Sequence, residues 1–511
     1  MRNVLNYSGL AFFGVGIVGV LGAAGSACSS SSTTGTPVTM TTDDAGGDAG
    51  PTVGNLSLEV PCMDTMDAVF ADPGPLPAVA PPLRGNIVKC SQGADIGKDA
   101  LLAAAIADGY VGRPFTSGAH VYRVLYRTER GTDPATPGVS SAVVFIPDTP
   151  RAAPLPVIVV SHGTTGQAKV CSPSKKDPVD ADVRLMSYPL VGSGYVAIAP
   201  DLAGYAGAPD SLLGGYAGAV DVGKSTLDGA RALRTMVPSS VSEKVVIIGH
   251  SQGGHTALSA LAISDPASYG SGGTVVGVVG YAPLWLSQRS WGALLKLAAV
   301  YPIHDAPLIN AVSVWYHYTN GELMNPGHGL DVFADSAKAG IKHFVENDCG
   351  MNTYPELEAL GTTATDLYTP EFNTAIAAAA AISGTCPSDP AAAALCQKWL
   401  DRYAADRPHL TGSAAHVPIL INYGGQDTTI GPDRMKCVID RLTTDQANFK
   451  VCVDPTANHT GVVRTRADYT NDWIANVALG EKAAEPCALD QSSLTDDATE
   501  RRFSRRRGRG P

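Results

Sequence analysis

The stretch "KVVIIGHSQGGHTALSAL", residues 244–261, decides how this chain is read. Its first half is an apolar, β-branched run, the mark of a strand buried on both faces. Its second half carries Ala, Leu and Thr at helical spacing. Between them lies Gly249-His250-Ser251-Gln252-Gly253. With 55 glycines in 511 residues, a bare G-x-S-x-G pattern carries little weight. Set between a buried strand and a helix, it reads as a sharp turn that lifts a serine hydroxyl clear of a sheet. Gly249 and Gly253 let strand and helix approach each other closely. The helix N-terminus favours negative charge beside Ser251. The plainer alternative is a Gly/Ser turn that caps a helix.

Outward from this turn the chain alternates strands and helices. "HVYRVLYRTERGTDPATPGVSSAVVFIP" (120–147) predicts a hairpin. "LPVIVVSHG" (155–163), "SGYVAIAPD" (193–201) and "GTVVGVVGYAP" (273–283) are further apolar strands. Residues 179–191 and 218–238 fit helices, the second ending at Pro238. The pattern predicts an α/β fold with a mostly parallel sheet and helices on both faces. From 284 to 416 the chain is Ala-rich and helix-leaning, then resumes with strand "HVPILINYGGQD" (416–427), a helix near 431–443, strand "NFKVCVDP" (448–455) and a helix over 464–479. A helical insertion of roughly 130 residues therefore interrupts the sheet between its sixth and seventh strands.

A serine hydroxyl needs a base to take its proton. His250 and His255 are too local, and the turn is expected to aim them away. The base belongs on a loop after the last strand, where His459 stands in "DPTANHTGV"; His409 and His416 fit less well. A carboxylate must orient that base. Asp427, just past the seventh strand, is the candidate, with Asp433 and Asp454 as alternatives. An oxyanion needs backbone donors. The N–H of Gln252 is one candidate. The N–H of Thr164, in the turn "SHGTTG" (161–166), is the other.

Composition bounds the remainder. Hydrophobic residues are 44% and charged residues 17%, so the chain can build a sizeable core. The net charge of −11 argues against a nucleic-acid partner. Outside residues 1–27 and the six-arginine end 501–511, 30 basic residues face 48 acidic ones. Residues 1–27 read as a secretory signal, with an uncleaved anchor as the alternative. "GSAC" resembles a lipoprotein processing site, which would place lipid on Cys28 and tie the protein to a bacterial membrane; secretion with cleavage nearby is the other reading. Residues 28–54 read as a flexible linker, and 491–511 as a basic tail. If Cys28 carries lipid, nine cysteines remain, so one is free or the lipid reading fails. The ten-residue spacing of Cys386 and Cys396 suits a small disulfide loop. No cysteine or histidine cluster has zinc spacing.

The chain resembles the α/β-hydrolases and, more narrowly, the secretory lipase family that includes the fungal lipase A type. The resemblance spans about 110–480 and is carried by "YRT" (126–128), "SHGTTG" (161–166), "APDLAGYAG" (199–207), "LDGARAL" (227–233), "GHSQGGH" (249–255), "GGQD" (424–427) and "NHTG" (458–461). It implies an α/β-hydrolase domain over 55–283 and 417–490, with 284–416 as a helical lid. It implies disulfides Cys171–Cys349 and Cys437–Cys487. It also implies a carboxylic-ester hydrolase with an ester or acylglycerol as substrate; the N-terminal signal adds the expectation of export, the serine–histidine–acid chemistry needs no cofactor, and a monomer is expected. A serine peptidase or acyltransferase with the same residues, or a surface-anchored binding protein on this scaffold, are the competing readings. In "YAPLWLSQRSWGALLKLAAVYP" (281–302), the Trp285, Trp291 and Leu stripe reads as core packing ahead of a substrate wall.

Overall fold

The computed structural model describes residues 56–487, apart from 57, 132–134, 153, 207–212, 350–353, 380–384 and 485–486. The expected signal peptide, the whole linker with Cys28, and the arginine-rich tail lie outside the described residues.

Nine strands form one sheet: β1 (Ile87–Gln92), β2 (Ala119–Arg130), β3 (Thr136–Pro147), β4 (Leu155–Ser161), β5 (Ala197–Ala203), β6 (Val241–His250), β7 (Thr274–Tyr281), β8 (Ile419–Gly424) and β9 (Phe449–Asp454). Their spatial order is β1-β2-β3-β5-β4-β6-β7-β8-β9. The first three pairings are antiparallel and the rest are parallel. β2 and β3 form the predicted hairpin, in register from Ala119↔Pro147 to Arg130↔Thr136. Strand β1 was not expected. It is six residues long, reads "IVKCSQ", and lacks the apolar run that marks the central strands.

The central strands bury both faces, which is why they read as continuous apolar runs. Successive side chains point to opposite faces. Val157, Val159, Val245, Ile247, Ile419 and Ile421 join one core cluster, with residues of helices Ala219–Met236 and Gln252–Ala262. Ile158, Val160, Val246, Ile248 and Leu420 join the other, against helices Ala181–Gly192 and Gly461–Ile474. The described chain between β7 and β8 is helical, and its aromatic residues extend the first cluster.

Four disulfides are described: Cys62–Cys90, Cys171–Cys349, Cys386–Cys396 and Cys452–Cys487. The second and third match expectation. The implied Cys437–Cys487 pair is corrected to Cys452–Cys487. Cys437 packs in the cluster on one face of the sheet, whereas Cys452 and Cys487 lie together on the other. Cys437 is nevertheless disulfide-bonded, so no described cysteine is free. No helix among the described residues is long and apolar enough to cross a membrane.

Candidate active site

Ser251 stands at the junction of β6 and helix Gln252–Ala262. Its φ of 55° and ψ of −117° put it in backbone space that a side chain rarely occupies. The fold fixes this conformation from both sides. Ser251 N–H donates to the Tyr281 carbonyl of β7 at 2.8 Å, and the Ser251 carbonyl accepts from Leu284 N at 2.8 Å and Gly254 N at 3.0 Å. The flanking glycines are required by space. A Cβ on Gly249 would come within 1.9 Å of the Gly253 carbonyl oxygen, and one on Gly253 within 1.9 Å of the Ser161 carbonyl oxygen. Strand, turn and helix are thus packed backbone to backbone, as the motif predicts.

Asp427 and His459 come from the loops that follow β8 and β9. Asp427 is buried, and its Oδ1 accepts from the backbone N–H groups of Thr429 and Ile430 at 2.8 Å each. Its other oxygen accepts from His459 Nδ1 at 2.7 Å. The two loops are laced together: Gly425 N donates to Asp454 O at 2.7 Å and Gln426 N to Ala457 O at 2.9 Å. The glycine pair of "GGQD" permits this approach, because a Cβ on Gly424 would meet the Ala457 carbonyl at 2.5 Å. The bond at Nδ1 leaves the His459 Nε2 as the lone-pair nitrogen. Burial pulls the His459 pKa below 6.5, the Asp427 hydrogen bond opposes this, and the neighbouring His250 adds to the lowering. His459 is therefore neutral at neutral pH.

The alternatives fall elsewhere. The Asp454 carboxylate is taken up by Thr456 and Thr465, and Asp433 belongs to helix Pro432–Thr444. His409 pairs with Asp445, and His416 is exposed.

The sequence reading misplaced His250. It is not aimed away from the site but packs against His459, with ring centroids 4.6 Å apart. Nδ1 faces Asp182 Oδ1 at 2.6 Å and Nε2 faces the His459 carbonyl at 3.2 Å. Two acceptors require a proton on each nitrogen, which is the imidazolium form. Burial pulls its pKa down, but the charge and hydrogen bond of Asp182 outweigh this and the net shift is upward. Asp182 also accepts from Gly163 N at 2.6 Å. No local pattern announced Asp182. It sits in the first turn of a helix, where an acid reads as ordinary capping. His255 is buried on the next turn, with Nε2 at 2.6 Å from the Asp406 carbonyl, as a structural histidine would be.

Ser251, His459, His250, Asp182 and Thr164 all line one cavity of about 480 Å³. Ser251 and His459 are not hydrogen-bonded to each other in this conformation. With the Gly163 amide occupied by Asp182, the next amides are those of Thr164 and, across the turn, Gln252. Among the described residues neither donates to a protein group. The Thr164 hydroxyl meets Tyr216 OH at 2.8 Å.

The opposite wall of the cavity belongs to the segment between β7 and β8. Tyr301, Pro307, Leu308, Ile309 and Val312 face the same space as Ser251. Trp285 and Trp291 do not; both are buried, and Trp291 packs at a tilt against Tyr316, with ring centroids 4.9 Å apart. The aromatic stripe is core, as read, and the wall lies just downstream of it. One group of possible metal ligands, His343, Asp348 and Glu356, brings its atoms within 4.8 Å of one another. It is largely exposed and does not line this cavity.

Comparison with known proteins adds three findings. The sequence profile of the alpha/beta hydrolase family matches residues 158–422. Among solved structures, the rice cell wall degrading esterase LipA from Xanthomonas oryzae is similar, with TM-score 0.56 and 18% identity, over 78% of this chain and 99% of that one. Lipase A from Candida antarctica in its closed state is similar too, with TM-score 0.54 and 16% identity, over 82% of this chain and 88% of that one. No match was found among curated proteins. The profile covers more than half of the chain and spans the sheet from β4 to β8 together with the serine turn. The chain belongs to the alpha/beta hydrolase family.

Proposed function

We propose that this protein is an exported serine carboxylic-ester hydrolase of the lipase/esterase kind. The observation that carries the proposal is buried Asp427 bonded at 2.7 Å to His459, which opens on the same cavity as a serine held at φ 55°. Ser251 Oγ attacks the ester carbonyl while His459 Nε2 takes its proton. Asp427 holds the imidazole tautomer and stabilises the imidazolium. The N–H groups of Thr164 and Gln252 receive the oxyanion. His459 returns the proton to the departing alcohol. Water, activated by the same histidine, then releases the acid from Ser251. Every proton moves through His459, so the sequence as written needs no metal and no organic cofactor.

The segment 284–416 serves as a cap over the acyl site, a role supported by Tyr301, Leu308 and Val312 on the cavity wall. The substrate is an ester or acylglycerol, and the catalytic unit is a monomer. Residues 1–27 direct export, and 28–54 hold the domain at a distance. Four described disulfides support an oxidising compartment. A lipid anchor on Cys28 is weakened by Cys437, whose disulfide needs a partner outside those four pairs. Mass analysis of the mature N-terminus decides it: a diacylglyceryl mass supports the anchor, and Cys28 in a disulfide removes it.

The test of function is hydrolysis of p-nitrophenyl esters of increasing chain length by the wild type and Ser251→Ala. The variant should lose about six orders of magnitude in kcat. Full activity in Ser251→Ala would sink the proposal. Preference for amide bonds or for transfer to added alcohols would replace it with a peptidase or acyltransferase. Failure of a fluorophosphonate to label Ser251 would favour a binding protein on this scaffold.

A further inference from the structure

Among the described residues, one cation on the catalytic cavity makes no ion pair. Arg434 stands in the first turn of helix Pro432–Thr444 and lines the cavity together with Ser251, His459, Tyr216 and Tyr301. Three other enclosed arginines are neutralised, Arg130 by Asp221 at 3.2 Å, Arg84 by Glu129 at 2.7 Å and Arg402 by Asp406 at 2.6 Å, while Arg127 and Arg407 have no acid but each donates to a backbone carbonyl, that of Pro77 and that of Tyr403. Among the described residues the Arg434 side chain makes no ion pair and no hydrogen bond. The carboxylates around the cavity do not serve it. Asp182 is held by His250, Asp427 is held by His459, and Asp305 lies exposed and makes no ion pair with it.

Such a position is unfavourable. Burial pulls the Arg434 pKa down from the ordinary arginine value, and only the Tyr301 and Tyr216 hydroxyls oppose the shift. An enclosed guanidinium without a counter-charge is destabilising unless a ligand supplies the charge. Its planar fork of donors suits a carboxylate or a phosphate, to which it binds through two parallel hydrogen bonds. The surrounding wall is apolar, with Leu284, Leu308, Val312 and Ile430. A ligand for this cavity therefore combines an ester at Ser251, an alkyl or aryl body and an anionic end.

We propose that Arg434 is a specificity-determining residue and that the preferred substrate is an ester bearing an anionic oxyacid group, a carboxylate or a phosphate, which pairs with the Arg434 guanidinium while Ser251 faces the ester carbonyl. The inference rests on the ester-hydrolase reading for its substrate but not for the anion site itself. Arg434 is a binding group and takes no part in proton transfer.

The test uses the full-length protein. On the acyl side, p-nitrophenyl hemiesters of hexanedioic, octanedioic and decanedioic acid are compared with uncharged p-nitrophenyl esters of matched length. On the alcohol side, 4-acetoxybenzoate and 4-acetoxyphenyl phosphate are compared with phenyl acetate, which separates carboxylate from phosphate recognition. In at least one series kcat/KM should favour the anion by about 10- to 100-fold, the effect of a hydrogen-bonded charge pair. Arg434→Met should bring that ratio to about one. Arg434→Lys should keep part of it, since charge survives but the bidentate fork does not. Equal or better hydrolysis of every neutral ester by the wild type overturns the inference and leaves the hydrolase reading standing. If no ester is hydrolysed, that reading falls and calorimetry still decides the anion site. Octanedioate and phenyl phosphate are titrated into Ser251→Ala and into Ser251→Ala/Arg434→Met. At least tenfold weaker binding of one of them to the double variant supports the site, and no binding or equal binding overturns it.

Discussion

Histidines in the two halves of this molecule meet opposite fates. At the C-terminal edge of the sheet, His459 and His250 each face a carboxylate and border a cavity. In the helical segment between β7 and β8, His317 is sealed among Trp291, Tyr368, Phe372 and Trp399. Its ring nitrogens are matched by the Ser313 carbonyl and the Tyr403 hydroxyl, both at 2.7 Å, and burial pushes its pKa down to about 3. A neutral, fully satisfied histidine packs like an aromatic residue. A histidine held by a buried carboxylate and open to a cavity can accept and return a proton. The difference lies in the partners, since the residue type is the same. The sheet edge arranges polarity around a hydroxyl that can react, and the helical segment encloses its polarity and contributes a wall.

Four substitutions and one pH titration can break or sharpen this contrast. The largest effect is expected at the sheet edge. Asp427→Asn should lower kcat by about 10⁴-fold while the melting temperature stays close to wild type, because it keeps the shape and spoils the tautomer. A small loss would remove His459 from its assigned role. In the helical segment the order reverses. Trp291→Ala should cost about 3–5 kcal/mol in denaturant unfolding through loss of aromatic packing, yet leave p-nitrophenyl acetate turnover per folded molecule within about tenfold. A catalytic collapse there would mean that the two halves are not separable.

Leu308→Trp narrows the cavity wall. It should reduce kcat/KM on long-chain esters by roughly 10- to 100-fold relative to the acetate; an unchanged chain-length profile would move the acyl group elsewhere. The smallest effect concerns pH. The His459 pKa lies below 6.5, so the neutral base survives below that pH and the acid limb of kcat/KM should have its midpoint under 6.5. Activity is lost as pH falls through this limb. His250→Asn removes a positive neighbour, so His459 should become easier to protonate and the limb should move to higher pH by less than about one unit. A shift downward would mean that His250 is not charged in the working enzyme.

The central strands were legible because burial on both faces leaves no polar position to interrupt them. The turn at Ser251 was legible because its glycines answer to contacts only a few residues away. Strand β1 was not, since an edge strand with one antiparallel partner needs no apolar run. The pairing of Cys487 was missed because Cys437 and Cys452 are equally plausible along the chain and differ only in which face of the sheet they occupy. The link of His250 to Asp182 spans 68 residues and depends on the start of helix Ala181–Gly192 meeting the end of β6.

By itself the sequence determined the alternating α/β architecture, the strained serine turn and the order of the serine, the acid and the histidine along the chain. These follow from local rules, namely hydrophobic periodicity, small residues where backbones touch, and loops at strand ends. Only the tertiary structure decided which groups meet across those loops. It set Asp427 on His459 rather than on solvent, placed His250 between Asp182 and the His459 carbonyl, and left Arg434 lining the cavity with no ion pair among the described residues. Charges and hydrogen bonds act through space over a few ångströms, and distance along the chain does not encode that separation.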